Sequence, residues 1–67
     1  MENKPDRPKW SNRLIAERDR IGYTQDQAAS VLGVSSRTLR RWESNPNYIR
    51  ATEFRRAMHE YGEVKSQ

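Results

Sequence analysis

Three arginines close together in the middle of the chain are the residues best suited to binding chemistry. Arg37, Arg40 and Arg41 carry guanidinium groups, which stay charged and donate paired hydrogen bonds to phosphates or to the O6 and N7 atoms of guanine. Arg37 and Arg41 are four residues apart, so on a helix they project from the same face. This pattern indicates a surface that binds a polyanion.

The distribution of charge points to the same segment. The chain has a net charge of +4, and residues 35–56 alone hold six arginines and two glutamates, while the other seven basic and seven acidic residues cancel. A surface that served only solubility would not need arginine in particular, and its excess positive charge would not need to lie in one segment. The six arginines are Arg37, Arg40, Arg41, Arg50, Arg55 and Arg56.

The stretch from Gln25 to Trp42 has the spacing of a helix, a short turn and a second helix that carries the three arginines. Ala29 is small enough for the point where two helices cross, and Gly33 can turn the chain in a left-handed conformation. An ordinary helical hairpin would have a mixed rather than a cationic outer face. In a small basic protein the pattern therefore predicts a helix-turn-helix that presents its second helix to DNA. The predicted core-facing residues of this motif are Leu32, Val34, Leu39 and Trp42.

Capping and helix-breaking residues divide the chain into four amphipathic stretches. The predicted helices run from a Ser11 cap to about Ile21, from Thr24 to the glycine turn, from Ser35 or Ser36 to near Asn45–Pro46, and from about Thr52 to Tyr61, before Gly62. Residues 1–9 are polar and contain two prolines, so they are expected to be a disordered lead-in. Residues 63–67 are expected to be a frayed tail. The predicted fold class is all-α, with one compact four-helix domain over residues 10–62 that contains the helix-turn-helix.

Three short motifs follow one another in a fixed order. They are R-x-x-x-G-x-T-Q from Arg18, A-x-x-L-G-V-S from Ala29, and W-E at Trp42 and Glu43. With this order and spacing, the stretch from about Arg13 to Asn45 resembles the lambda-repressor and Cro class of helix-turn-helix domains. The resemblance implies binding to double-stranded DNA and regulation of transcription.

The resemblance also implies a role for individual residues. The positions that read bases in the family are occupied here by Ser36, Arg37 and Arg41. The expected phosphate contacts are Gln25, Ser35, Thr38 and Arg40. The family pairs an arginine in its first helix with a glutamate at the end of its third, which here implies a structural ion pair between Arg18 and Glu43.

A single recognition helix covers few base pairs, so we expect a homodimer on a palindromic operator. The family usually has a fifth helix, whereas this chain stops soon after the fourth, and the dimer contact is therefore expected at Tyr48, Ile49 and Tyr61. With no room for an effector domain, the expected mode of action is repression by occlusion of a promoter. The layout is also similar to very small phage regulators that accompany anti-CRISPR genes and repress their own operons.

Two other classes of protein fit parts of the sequence. The segment from Gly33 to Glu43 is similar to the helix-turn-helix of MerR-type regulators and excisionases, in which the motif comes first and a wing follows, but here a helix comes first and Asn47–Arg50 is a poor wing. An antitoxin-like protein-interaction module would carry acidic or apolar residues on the outer face of the third helix, where this chain has arginines. RNA binding would require an aromatic stacking platform, which is missing.

Catalytic and metal-binding patterns are missing from the sequence. His59 is the sole histidine and there is no cysteine, so no set of metal ligands is expected. The carboxylates are scattered, and no glycine motif that cradles phosphate is present. We therefore expect no enzyme, no cofactor and no small-molecule substrate. No apolar run approaches the length of a membrane span or a signal peptide, which predicts a soluble, cytoplasmic protein.

Overall fold

The computed structural model describes residues 7–64, in which four α-helices and one turn of 3₁₀-helix follow one another. No strand is present in this part of the chain. The prediction of an all-α, four-helix domain that contains a helix-turn-helix is therefore confirmed. The elements are α1 (Arg7–Ile21), α2 (Gln25–Leu32), α3 (Ser36–Ser44), the 3₁₀ turn (Pro46–Tyr48) and α4 (Ala51–Glu63).

Helix α1 begins at Arg7, well before the predicted cap at Ser11. Pro8 does not prevent this, because a proline in the first turn lacks only an N–H that the helix does not use. The prediction that Ser11 caps the helix is wrong: Ser11 is buried, and its hydroxyl donates a hydrogen bond of 2.6 Å to the carbonyl oxygen of Trp42. Ser11 thus ties α1 to α3. The first six residues of the predicted lead-in lie outside the described residues.

The two helices of the motif begin and end as their capping residues predict. Thr24 Oγ1 accepts from the Gln27 amide at 3.1 Å, and Gln27 Oε1 accepts from the Thr24 amide at 2.8 Å, which completes a capping box at the start of α2. Ser35, rather than Ser36, caps α3 by accepting from the Thr38 amide. Gly33 ends α2 with φ of 73°, a left-handed conformation that costs other residues about 1–2 kcal/mol.

The helices enclose one hydrophobic core. Ala29 is 2% exposed, as the predicted helix crossing requires, and Val34 is half-buried against the core. Trp10 of α1 stacks on Phe54 of α4 with ring centroids 4.7 Å apart, which joins the two ends of the domain. The buried apolar residues are Leu14, Ile21, Ala28, Ala29, Leu32, Leu39, Trp42, Ile49, Phe54, Ala57 and Tyr61.

The C-terminal part of the fold differs from expectation in two ways. Helix α4 continues through Gly62 to Glu63. Gly62 does not end the helix, because it lacks the positive φ that Gly22 and Gly33 alone have among the described residues. Residues 65–67 of the predicted tail lie outside the described residues. The segment Asn47–Arg50 forms part of the 3₁₀ turn and its link to α4, and no β-wing of the MerR type is present between residues 7 and 64.

Two of the three residues predicted for the dimer contact belong to the core of the monomer. Ile49 is 1% exposed and Tyr61 is fully buried. The prediction for these two residues is wrong, because the 3₁₀ turn and α4 both pack onto α1 and a core this small needs both side chains. Tyr48 is 56% exposed and remains on the surface. None of the described helices is both long enough and apolar enough to span a membrane.

Candidate nucleic-acid interface

One side of α3 is cationic and exposed, while the opposite side is buried. The exposed side, which we call the arginine face, consists of Arg37, Arg40, Arg41 and Ser44. The buried side consists of Leu39, Trp42 and Glu43. Within residues 7–64 no ion pair joins an arginine of this face to a carboxylate. The three positive charges are therefore available to an external anion.

The arginine face borders an open depression whose other wall is formed by α1 and the start of α2. The only carboxylate in its lining belongs to Glu43, and Arg18 neutralises that charge. An open, cationic depression suits a polymer backbone better than a small molecule. Its lining residues are Ile15, Arg18, Gln25, Arg37, Arg40, Arg41, Glu43 and Ser44.

The structure brings Arg18 and Glu43 together in a paired contact. Arg18 Nε donates to Glu43 Oε2 at 2.8 Å and Nη2 donates to Oε1 at 3.1 Å. Arg18 Nη1 also donates to the carbonyl oxygen of Tyr23 at 3.0 Å. The two charged side chains are 15% and 5% exposed. Hydrogen bonding to Glu43 raises the pKa of Arg18 above its ordinary value, although burial opposes the shift. The paired contact joins α1 to α3.

The hydroxyl of Tyr61 is buried near this ion pair. It has no hydrogen-bond partner among the described residues. Burial raises the pKa of Tyr61 to about 12, and the charge of Glu43 adds to the increase while Arg18 opposes it. Because the unfolded chain titrates near the ordinary value of 10, the fold favours the protonated phenol between these two values.

We expect Tyr61→Phe to be at least as stable as the wild type at neutral pH and to lose less stability in alkali. The wild type loses stability as pH rises from 10 towards 12, by about 1.4 kcal/mol at pH 11, because its unfolded state releases the proton first. The variant has neither this titration nor the cost of a buried hydroxyl without a partner, about 1–3 kcal/mol. Urea unfolding at pH 8 and 11 measures the difference, with Tyr48→Phe as the exposed control. Equal alkaline losses in wild type and Tyr61→Phe would contradict this account.

Gln25 is connected to the ion pair. Its Nε2 atom donates to Glu43 Oε1 at 2.9 Å, and the side chain is half-buried at the edge of the depression. A side-chain amide has two N–H groups, so one remains for an external acceptor. The residue predicted to contact phosphate is thus held in place by the same carboxylate that anchors α3.

The small polar residues at the start of α3 are already engaged within the protein. Ser35 Oγ caps the helix and donates to Thr38 Oγ1 at 3.0 Å. Ser36 Oγ donates to Asp26 Oδ1 across the turn. Asp26 was not singled out from the sequence, because no helical spacing relates residues on two different helices. Of the predicted base-reading residues, Arg37 and Arg41 are exposed, while Ser36 is half-buried and hydrogen-bonded.

Tyr48 lies beside the arginine face rather than apart from it. The guanidinium carbon of Arg41 is 5.4 Å from the centroid of the Tyr48 ring, within the range of a cation–π contact. The sequence predicts Tyr48 in a dimer contact and gives no sign that Arg41 is its neighbour. Periodicity gave no signal, because Tyr48 belongs to the 3₁₀ turn, where the chain changes direction after α3.

The helix-turn-helix family model HTH_3 matches residues 14–65, from within α1 to beyond α4. The match includes the whole of α2 and α3 and therefore the arginine face. The chain belongs to the lambda-repressor type of helix-turn-helix family. It is accordingly a regulator of transcription that binds double-stranded DNA. No curated protein and no solved structure matches the chain significantly.

For a helix-turn-helix regulator, the geometry separates residues that support the fold from residues that face a ligand. Arg18 and Glu43 line the depression with nearly buried side chains that contact each other, whereas Arg37, Arg40 and Arg41 line it with exposed side chains. His59 is exposed on α4 and lies 4.0 Å from Glu63, away from this surface. Among the described residues, no group of three or more histidine, aspartate or glutamate side chains is placed to hold a metal ion.

Proposed function

We propose that the protein is a transcriptional repressor that binds a palindromic operator in two copies and prevents transcription by occupying the promoter. The observation that carries the proposal is the arginine face, with three arginines that have no carboxylate partner on the exposed side of α3. In the family to which the chain belongs, this helix is the one presented to the major groove.

The positions of the arginines around α3 suggest different roles. Successive residues of a helix are about 100° apart, so Arg41 lies about 40° from Arg37, whereas Arg40 lies about 60° away on the other side. Arg37 and Arg41 therefore point into the same groove, where each guanidinium can pair with guanine. Arg40 lies on the side of α3 that also carries Glu43, the residue that contacts α1, and is assigned to a phosphate. Ser36 contributes less, because its hydroxyl is engaged with Asp26.

Gln25 marks the second point of contact with the backbone of DNA. Its amide reaches the edge of the depression from the start of α2, where free backbone N–H groups also favour an anion. Glu43 orients this amide through a hydrogen bond. Ser35 and Thr38 are assigned to the phosphates at the start of α3. Such contacts fix the register of the protein without reading sequence.

Two copies are proposed because one α3 helix reads few base pairs. Related by a two-fold axis, two copies enter successive major grooves about 34 Å apart. Among the described residues, Val31 and Tyr48 are the exposed large hydrophobic side chains. A stable protein interface buries about 1,200–2,000 Å² and has an apolar centre, which these two residues alone do not provide. We therefore propose that the copies associate on the operator rather than in solution.

Selection of bound duplexes from a random-sequence DNA library tests the proposal. We expect an inverted repeat with half-sites about 10 bp apart. Sedimentation should show one copy for the free protein and two on the selected duplex. Transcription in vitro from a promoter that overlaps the repeat should fall as protein is added, and a promoter with a scrambled repeat is the control.

Several results would reject parts of this proposal. Activation of the promoter would exclude a repressor. Full specificity from one copy on one half-site would exclude the two-copy arrangement. Selection of no consensus would exclude sequence-specific reading by α3. A selected repeat upstream of the protein's own gene would identify the repressor as autoregulatory.

A further inference from the structure

Tyr48 is exposed, but hydrogen bonds and a buried neighbour hold the backbone that carries it. It ends the 3₁₀ turn, where its amide donates to the Asn45 carbonyl oxygen at 3.1 Å and the Asn45 side chain accepts from the Asn47 amide at 2.9 Å. The next residue, Ile49, is 1% exposed and anchors the turn in the core. The backbone that carries the Tyr48 ring is therefore fixed on both sides.

The ring has a specific neighbour on the arginine face. Arg41 places its guanidinium carbon 5.4 Å from the ring centroid, whereas no comparable ring contact is present for Arg37 or Arg40 in the described part of the chain. The N–H donors of a guanidinium lie in its own plane, so they remain available to a base when one face of the group is against a ring. A long side chain that is already ordered loses less conformational entropy on binding.

We propose that Tyr48 is a positioning residue for DNA recognition. Its ring holds the Arg41 guanidinium on the side of the arginine face next to the 3₁₀ turn, so that Arg41 meets the groove in an ordered conformation and its preference for guanine depends on Tyr48. This inference rests on the proposed base-reading role of Arg41. It also gives the exposed ring a function other than a contact between two copies.

A double-mutant cycle on the full chain tests the inference. The DNA probe is the duplex that the wild-type protein selects from a random library, compared with a scrambled duplex at the same salt concentration. We expect Tyr48→Ala to weaken binding to the selected duplex about two- to fivefold, in keeping with the strength of exposed cation–π contacts. The same substitution should have almost no effect when Arg41 is already alanine.

Two controls separate positioning from other roles of the ring. A second cycle combines Tyr48→Ala with Arg37→Ala, and these effects should multiply independently because the two residues do not touch. Tyr48→Phe keeps the ring and should bind like the wild type. The dependence of binding on salt should be unchanged in both Tyr48 variants, because no phosphate contact is removed.

The inference is overturned if Tyr48→Ala weakens binding equally with and without Arg41, or if it reduces the number of copies bound to DNA, as a dimer contact would require. A failure of the proposed function gives different results. In that case the wild type selects no consensus, or Arg41→Ala binds the selected duplex as well as the wild type does, and the positioning role is rejected together with base reading.

Discussion

Replacement of Arg18 by alanine is expected to lower the free energy of unfolding by about 3–5 kcal/mol. The substitution leaves the carboxylate of Glu43, which is 5% exposed, without its cationic partner. Only the hydrogen bond from Gln25 would remain to it among the side-chain contacts described. A domain of this length has a total stability of roughly 3–10 kcal/mol, so the loss leaves much of the population unfolded. Thermal and urea unfolding followed by circular dichroism measure the effect.

The chain contains a matched control for this prediction. Arg20 and Glu17 also form an ion pair, with a distance of 2.7 Å, but their side chains are 48% and 33% exposed. Arg20→Ala should therefore cost less than about 1 kcal/mol. Removal of both charges with similar volume, as in Arg18→Met with Glu43→Leu, should recover most of the stability that Arg18→Ala loses. A loss for Arg18→Ala no larger than that for Arg20→Ala would show that the buried pair does not hold α1 to α3.

Substitution of Arg37 or Arg41 by alanine is expected to cost about 1–3 kcal/mol on the selected duplex and to reduce discrimination against scrambled DNA. Each residue is exposed and has no ion-pair partner within residues 7–64, so its loss leaves the fold intact. Arg40→Ala should instead weaken binding to both duplexes alike. It should also reduce the slope of log affinity against log salt concentration by the equivalent of about one phosphate contact. Fluorescence anisotropy at several salt concentrations distinguishes the two kinds of loss.

The control for charge alone is Arg55→Ala. Arg55 is exposed on α4 and does not line the depression beside α3. Its removal lowers the net charge by the same amount but should leave discrimination between the duplexes unchanged. If Arg37→Ala and Arg41→Ala weaken both duplexes equally, as Arg40→Ala is expected to do, the two residues contact phosphates and the bases are read elsewhere.

The elements whose formation depends on nearby residues were predictable from sequence. The capping box at Thr24, the cap at Ser35 and the left-handed Gly33 are decided within a few residues, and all three are present. Helical spacing also identified the exposed arginines, because a face of α3 is defined by its own periodicity. These local rules covered the helix-turn-helix and the fold class.

The errors arose where distant parts of the chain decide the outcome. Ser11 has the composition of a cap, but its hydroxyl bonds to a carbonyl oxygen 31 residues away. The apolar side chain of Ile49 and the aromatic ring of Tyr61 are expected to be covered, yet the sequence does not tell whether the same copy or a second copy covers them. The contact between Arg41 and Tyr48 depends on the direction in which the 3₁₀ turn leaves α3, and spacing along one helix does not contain that information.

Helix α3 has one side that holds it in the core and another that is exposed, so its outer residues can change independently of the fold. Leu39, Trp42 and Glu43 hold the helix in the domain, while the four residues of the arginine face take no part in the buried core. If Arg37 and Arg41 read bases as proposed, mutations in those four codons change the recognised DNA sequence without a compensating change in the core. The products of duplicated genes can diverge in this way until neither protein binds the DNA site of the other. For the same reason the domain is a suitable scaffold for orthogonal switches in synthetic circuits, with a library confined to one side of one helix.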